Sequence, residues 1–420
     1  MTPFLPAEIR VQFPGSQDKV YLNIAETTLI PVSSADAARA YVEHALMGTG
    51  DKTAHRASVE RCREGLAELL GSHPDEVAIT KNVSEALNLF ASSLPWKAGD
   101  NVVFCPELEH PNNVFLWYNL RKLKGIDVRT IEPRDGHIPV DAFAAAIDAR
   151  TALVTVPHVS FSPGFVTDVR AIAVAAHAQH ALLLVDAAQS IGAIECDVSR
   201  LGIDALAVAA QKHLLGVYGF AYLYVRRSIA ESLIPAHVAR YGMDLGVDAG
   251  ETARNRGEHL PYAPGARRFD LGNYNYLGAR VAETSLALIR SIGVRRIQQH
   301  LQALAARLVE GLRDLNLPVA GGPPGPHLGH IVAVGHSGGG HHDTADDPAM
   351  NDLYRYLTSH DVHLSIRKGV LRMSLGLYNT VADIDRTLEL TREWATQLPG
   401  TPTARSTRLD SAIEARSPGR

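Results

Sequence analysis

The sequence predicts an α/β protein with a mainly parallel sheet covered by helices on both faces, followed by a second, smaller α+β unit. Three observations carry this. Short apolar runs alternate with amphipathic stretches between about Val77 and Val225. The order strand, helix, strand repeats several times over that span, as a sheet of parallel strands with crossover helices requires. From Tyr241 the repetition stops, and a polar stretch rich in Gly, Arg and Asn gives way to a pattern dominated by helices.

In chain order, the candidate strands are Asn101 to Cys105, Val128 to Ile131, Ala152 to Val156, Ala181 to Asp186, Ala205 to Ala209 and Phe220 to Val225. Amphipathic stretches such as Val140 to Ala149 and Val169 to His180 supply the covering helices. Tyr241 to Arg268 reads as a long loop, of a kind that often carries function. A helical pattern then runs from Tyr276 to Leu312, and an apolar strand covers His330 to Val334. Asp347 and Pro348 have the character of a cap and first position for a helix over Ala349 to Ser359. A strand at Leu371 to Ser374 and a helix from Ala382 to Gln397 complete the smaller unit. The organisation is an N-terminal segment 1–20, a large domain 21–275, a small domain 276–397 and a tail 398–420 with little to bury.

Of 420 residues, 46% are hydrophobic and 20% charged, the composition of a globular protein and not of a disordered or fibrous one. Forty-one Lys and Arg against 45 Asp and Glu give a formal charge of -4, so no general field attracts polyanions, and neither nucleic acid nor a membrane surface is an expected partner. The start of the chain lacks a basic segment followed by an apolar one, and no run reaches the ~18 apolar residues of a membrane span. Three cysteines, Cys62, Cys105 and Cys196, form no CxxC pair, which argues against disulfides or a thiolate zinc site and fits a reducing cytoplasm. HExxH is absent, and the cluster His341-His342-Asp343 lies in a glycine-rich polar stretch, so no metal site is expected.

The chemistry begins at ALLLVD, whose last residue, Asp186, falls where a parallel sheet exposes its carboxyl edge, the place such sheets bind ligands. Gln189 follows three residues on, and Lys212 comes 26 residues after Asp186 in VAAQKHLLGVYGFAYLYV. A lysine among apolar residues is a candidate Schiff-base nucleophile, because desolvation lowers its pKa. An acid at a strand end can serve the pyridinium nitrogen of pyridoxal phosphate. Alone, Asp186 would pass for a helix cap and Lys212 for a surface lysine.

Together, VDAAQSIGAIECDV and DALAVAAQKHLLGVYGFAYLYV resemble the class V aminotransferase family of fold-type I pyridoxal phosphate enzymes, which includes cysteine desulfurases, isopenicillin N epimerase and C–S lyases. The resemblance runs from about Tyr21 to Trp394. It implies a mainly parallel seven-stranded sheet in the large domain, with Lys212 bonded to the cofactor, Asp186 on the pyridine nitrogen and Gln189 on the ring oxygen. In ITKNVSEALNLF, Asn82 and Glu85 have capping-box spacing, and a helix N-terminus also binds phosphate. The segment is similar to the family's phosphate loop, which places Ser84 and the Val83 amide, with Asn82, on the cofactor phosphate. His110 in ELEHPNNVFLW matches the family histidine that stacks on the pyridine and assists proton transfer. Arg372 in LRMSLGLYNTVADID matches the arginine that clamps the substrate α-carboxylate through a bidentate pair. Gly272 and Asn273 in RRFDLGNYN stand where family members reach a partner's cofactor phosphate, which implies a homodimer with shared active sites.

Departures from the family narrow the reaction. Ala209 and Gln211 replace the Ser and His that usually precede the lysine in desulfurases, shifting phosphate contact toward Gln211. Phe161 stands where Asn is common after SHVS. A desulfurase also needs a sulfur-accepting cysteine on the loop before the arginine, and HLSIRKGVLRMS has none. The expectation is a lyase that performs β-elimination from an amino acid in specialised metabolism. Transamination, epimerisation and decarboxylating oxidative deamination share the same first carbanion and stay open, as does a binding-only descendant of the fold. Gly335-His336-Ser337-Gly338-Gly339 satisfies GxSxG, so a serine hydrolase using Ser337 is a distant alternative, for which Asp352 and His363 meet the required order only trivially.

Overall fold

The apolar runs become strands whose alternate side chains enter two different cores. In the computed structural model, which describes residues 7–246, 260–338 and 343–397, there are twelve strands. They are β1 (Val20–Tyr21), β2 (Val77–Thr80), β3 (Asn101–Phe104), β4 (Asp127–Thr130), β5 (Thr151–Pro157), β6 (Leu182–Asp186), β7 (Ala205–Ala209), β8 (Ala221–Val225), β9 (Ile331–Val334), β10 (Val362–His363), β11 (Ser365–Arg367) and β12 (Val370–Ser374). β2 to β8 form one seven-stranded sheet in the order β2-β8-β7-β6-β5-β3-β4, in which β8 alone runs against the rest.

Because side chains along a strand point to opposite faces, Leu183 and Val185 of β6 join one apolar layer and Leu184 joins the other. Helices Lys52–Leu70, Val169–His177 and Tyr276–Ile292 cover the first face through Cys62, Leu66, Ile172 and Leu286. Helices Val83–Ser93 and Phe115–Lys124 cover the second through Leu87, Phe90, Trp117 and Leu120. The smaller unit is an antiparallel sheet in the order β11-β12-β9, with helices Val294–Asp314, Pro348–Ser359 and Val381–Gln397. β1 pairs in parallel with β10, so the chain enters the molecule against this smaller unit.

Most predicted elements lie where expected, within a residue or two at the strands. The single helical pattern from Tyr276 to Leu312 is corrected to two helices, broken at Gly293, whose φ of 88° lies outside helical backbone and suits glycine. The loop predicted from Tyr241 contains short 3₁₀ turns at Arg240–Gly242 and Gly265–Phe269, with 247–259 outside the described residues. The tail 398–420 and His341-His342 also lie outside them. Among the described residues no helix is long and apolar enough to cross a membrane, and no group of three His, Cys, Asp or Glu is placed to hold a metal.

Candidate active site

The carboxyl ends of the parallel strands open into a cavity of about 780 Å³. β6 delivers Asp186 to its floor, level with Pro157 of β5, and the turn after β7 delivers Gln211 and Lys212. That turn is held close by Gly192, where an added Cβ would lie 2.4 Å from the His213 carbonyl oxygen and where φ is 95°. Asp186 is 6% exposed and accepts the Ala188 amide at 2.9 Å. Burial raises its pKa, opposed by that amide and by the charge on Lys212. For Lys212 burial outweighs the attraction of Asp186, and its pKa falls to about 8.

His110 caps a short 3₁₀ turn, its Nδ1 accepting the Asn112 amide at 3.2 Å. Burial and the cations Lys212 and Arg372 lower its pKa to about 4, so the ring is neutral and carries its proton on Nε2. It stands edge-on to Phe161, with centroids 5.1 Å apart. Gln189 donates Nε2 to the Ala25 carbonyl at 2.9 Å, while its Oε1 is buried without a partner. Asn82 caps helix Val83–Ser93 by accepting the Glu85 amide at 2.8 Å. The reciprocal bond of a capping box is displaced by one residue, for the Glu85 carboxylate accepts from the Lys81 amide and not from Asn82. The first intrahelical bond joins the Ala86 amide to the Asn82 carbonyl, which leaves the Val83 and Ser84 amides at the positive end of the helix free for an anion.

Arg372 of β12 is 1% exposed, donates to the Phe161 carbonyl at 3.1 Å and sits 5.0 Å from the Phe161 ring. Its Nε is buried without a partner, and among the described residues no carboxylate is within ion-pair distance. Burial and Arg367 push its pKa down to about 9 despite Glu26 and Asp343.

The cavity thus gathers Asn82, Val83, His110, Asp186, Gln189, Gln211, Lys212 and Arg372. Ser84 is adjacent to the lining but not in it, and Asn273 is exposed and away from it, its Oδ1 accepting from the Tyr241 hydroxyl at 2.5 Å. Ser337 does not form a hydrolase elbow. It is exposed beyond β9, the next described helix starts at Pro348, and Asp352 is bonded to Trp394 and Arg355. Sequence reasoning missed several charged lining residues, among them Glu109, Arg367 and Glu26. Glu109 is fully buried, its pKa raised well above the usual carboxylate range by burial and by Asp186. Arg367 and Glu26 pair with each other at 3.2 Å. The pairing of Glu109 with His110 in ELEHP, and the second arginine five residues before Arg372, were the available signals.

The class V aminotransferase model matches residues 20–387 of this chain. The chain belongs to the class V aminotransferase family. It is 32% identical over 392 residues to a probable cysteine desulfurase of Methanothermobacter thermautotrophicus, covering 90% of this chain and 95% of that one. It is 31% identical over 386 residues to an uncharacterized aminotransferase of Bacillus subtilis, covering 92% and 97%. Among solved structures, the apo cysteine desulfurase of Thermococcus onnurineus superposes with a TM-score of 0.80 at 25% identity, over 95% of this chain and 99% of that one. The fold is that of the fold-type I pyridoxal phosphate enzymes, and this family member is a pyridoxal 5′-phosphate-dependent enzyme. The residues present fit that cofactor: a desolvated lysine, a buried acid at the strand end, an unsatisfied buried amide oxygen on Gln189 and free amides at a helix N-terminus.

Proposed function

We propose that the protein is a lyase that breaks a bond to the β-carbon of an amino acid, with a cysteine S-conjugate as the substrate type. The observation that carries this is the placement of Lys212 and Asp186 at the floor of one cavity whose wall presents Arg372 without a carboxylate partner. Pyridoxal phosphate, when bound, supplies the electron sink that stabilises a carbanion at the α-carbon. Lys212 would be its covalent anchor, Asp186 would keep the pyridine nitrogen protonated, Gln189 would serve the ring and Gln211 the phosphate, and Asn82, Val83 and Ser84 at the helix end would hold the phosphate. Arg372 binds the α-carboxylate through a bidentate pair, which gives this buried guanidinium an anion. The neutral amine of Lys212, accessible because its pKa is near 8, takes the α-proton. His110 carries its hydrogen on Nε2 on the same cavity wall as Phe161, where it can hydrogen-bond the departing sulfur while the proton taken up by Lys212 passes to that sulfur.

The cysteines support elimination over persulfide chemistry. All three are buried, with thiol pKa values pushed up by burial, and none lines the cavity. The test is incubation with cysteine S-conjugates and their sulfoxides. Pyruvate with ammonia is expected, and absent from Lys212→Ala. A keto acid with an aminated cofactor would make the enzyme a transaminase instead, and oxygen consumption a deaminase. We also infer a homodimer in which Asn273 reaches the partner's cofactor phosphate. In support, Asn273 is exposed outside its own cavity, and Phe115 and Tyr218 at the cavity rim are 70% and 64% exposed.

A further inference from the structure

Glu26 is held in the cavity more firmly than a surface carboxylate needs to be. The residue before it is clamped from both sides of the site: the Ala25 amide donates to Ser374 Oγ at 2.9 Å, and the Ala25 carbonyl accepts from Gln189. Two residues after it, the Thr28 amide donates to the Gln211 carbonyl at 2.9 Å. The backbone of Glu26 is therefore tied to the strand that carries Arg372, to Gln189 and to the residue before Lys212. Its carboxylate is fixed as well. Asn23 donates to Oε2 at 2.8 Å and Arg367 approaches the same oxygen at 3.2 Å, while Oε1 has no partner among the described residues. The side chain is 43% exposed, and it lines the cavity.

The charges around this oxygen favour a cation. Arg367 is buried and lines the cavity, but both its terminal nitrogens are engaged, one with Glu26 and the other with Asp343 and the Ile366 carbonyl. Lys368 is paired with Glu107 at 3.4 Å and also donates to its carbonyl. The two cations on the wall beyond Arg372, Arg367 and Lys368, are thus already paired with carboxylates. With Arg372 reserved for the α-carboxylate, the Oε1 of Glu26 remains for the far end of the substrate.

We propose that Glu26 is a specificity-determining residue that selects amino acids whose side chain ends in a cation, an ammonium or guanidinium, received on Oε1. On the reading of the protein as a lyase, on which this rests, the substrate class becomes cysteine S-conjugates with a distal basic group. A carboxylate whose position is set by Asn23 and Arg367 pays little ordering entropy when it binds, so the contact is translated into discrimination.

The test is equilibrium titration of the yellow holoenzyme with α-methyl-lysine, α-methylnorleucine and α-methylglutamate, which lack the α-proton and do not turn over, followed by visible absorbance. The lysine analogue should bind at least about tenfold more tightly than the norleucine analogue, as a charge-assisted hydrogen bond gives. Glu26→Gln should bring that ratio close to one and move preference toward the glutamate analogue as Arg367 loses its partner. Glu26→Asp, which keeps the charge, should retain a preference for the lysine analogue. Equal binding of the three analogues by the wild type, or a ratio unchanged in Glu26→Gln, overturns the assignment. A colourless protein would sink the cofactor-based reading itself, whereas a yellow protein that binds the analogues without discrimination sinks the role of Glu26 alone.

Discussion

At Lys212, burial and charge pull in opposite directions, and burial prevails. The amine is held near a pKa of about 8 instead of the ordinary 10.5, although Asp186 attracts its charged form. Two consequences follow at the residue scale. The rate at which cofactor-free protein acquires visible absorbance on mixing with pyridoxal phosphate should climb about tenfold per pH unit below pH 8 and level off above it. Lys212→Ala should show none of this rise. The sign for folding is the reverse of an ordinary ion pair. Between pH 8 and 10.5 the unfolded chain binds the proton that the folded chain has lost, so stability rises with pH across that window. The cost of burying the ammonium is complete below pH 8, and cofactor-free Lys212→Met should melt higher than the parent at pH 7 with no such gain at pH 11. A melting difference unchanged between the two pH values would show that Lys212 is not desolvated.

Among the elements, the segment leading to Asn273 is fixed by a buried ion pair. Arg63, in the middle of helix Lys52–Leu70, is fully buried and reaches Asp270 at 2.8 Å. Asp270 also accepts the Ile79 amide of β2 at 2.8 Å and the Tyr274 hydroxyl at 2.7 Å, so one carboxylate joins helix, sheet edge and loop. Asp270→Ala would leave the buried guanidinium with only the more distant and more exposed Glu60 carboxylate, at 3.5 Å, and should cost about 3–5 kcal/mol in denaturant unfolding of the cofactor-free protein. A loss under about 1 kcal/mol would mean that water reaches Arg63. The same region shows what could be read from sequence and what could not. Asp186, Gln189 and Lys212 were legible because they sit at a strand end or just after one, and Arg372, in the middle of β12, because of the motif that follows it. Arg63 was not, since a charged residue inside an amphipathic helix looks solvated until a partner over 200 residues away is placed beside it. Glu26 and Arg367 escaped for the same reason, as their pairing joins the start of the chain to β11. The break at Gly293 was hidden because apolar periodicity resumes directly after it in Val294–Asp314.

On the scale of the whole molecule, the site is assembled from both units of the chain and leaves Asn273, a predicted phosphate ligand, outside it. The large sheet supplies Asp186 and Lys212, and the small sheet supplies Arg372 and Arg367, with Lys368 of the small unit paired across the cavity mouth to Glu107. Asn273, by contrast, lies outside the cavity of its own chain, and the family resemblance places that position against a partner's cofactor. If two copies share their sites, the lysine and the asparagine serving one cofactor come from different chains. Lys212→Ala disables the site in its own subunit, and Asn273→Asp, which sets a carboxylate against the phosphate, disables the site in the partner. Random mixing of the two inactive variants makes half of the dimers hybrids, each with one site damaged twice and the other intact. About a quarter of the wild-type activity should therefore return when the variants are co-expressed or unfolded and refolded together. Were Asn273 to act within its own subunit, each hybrid would carry one defect per site, and no activity would be restored at any mixing ratio.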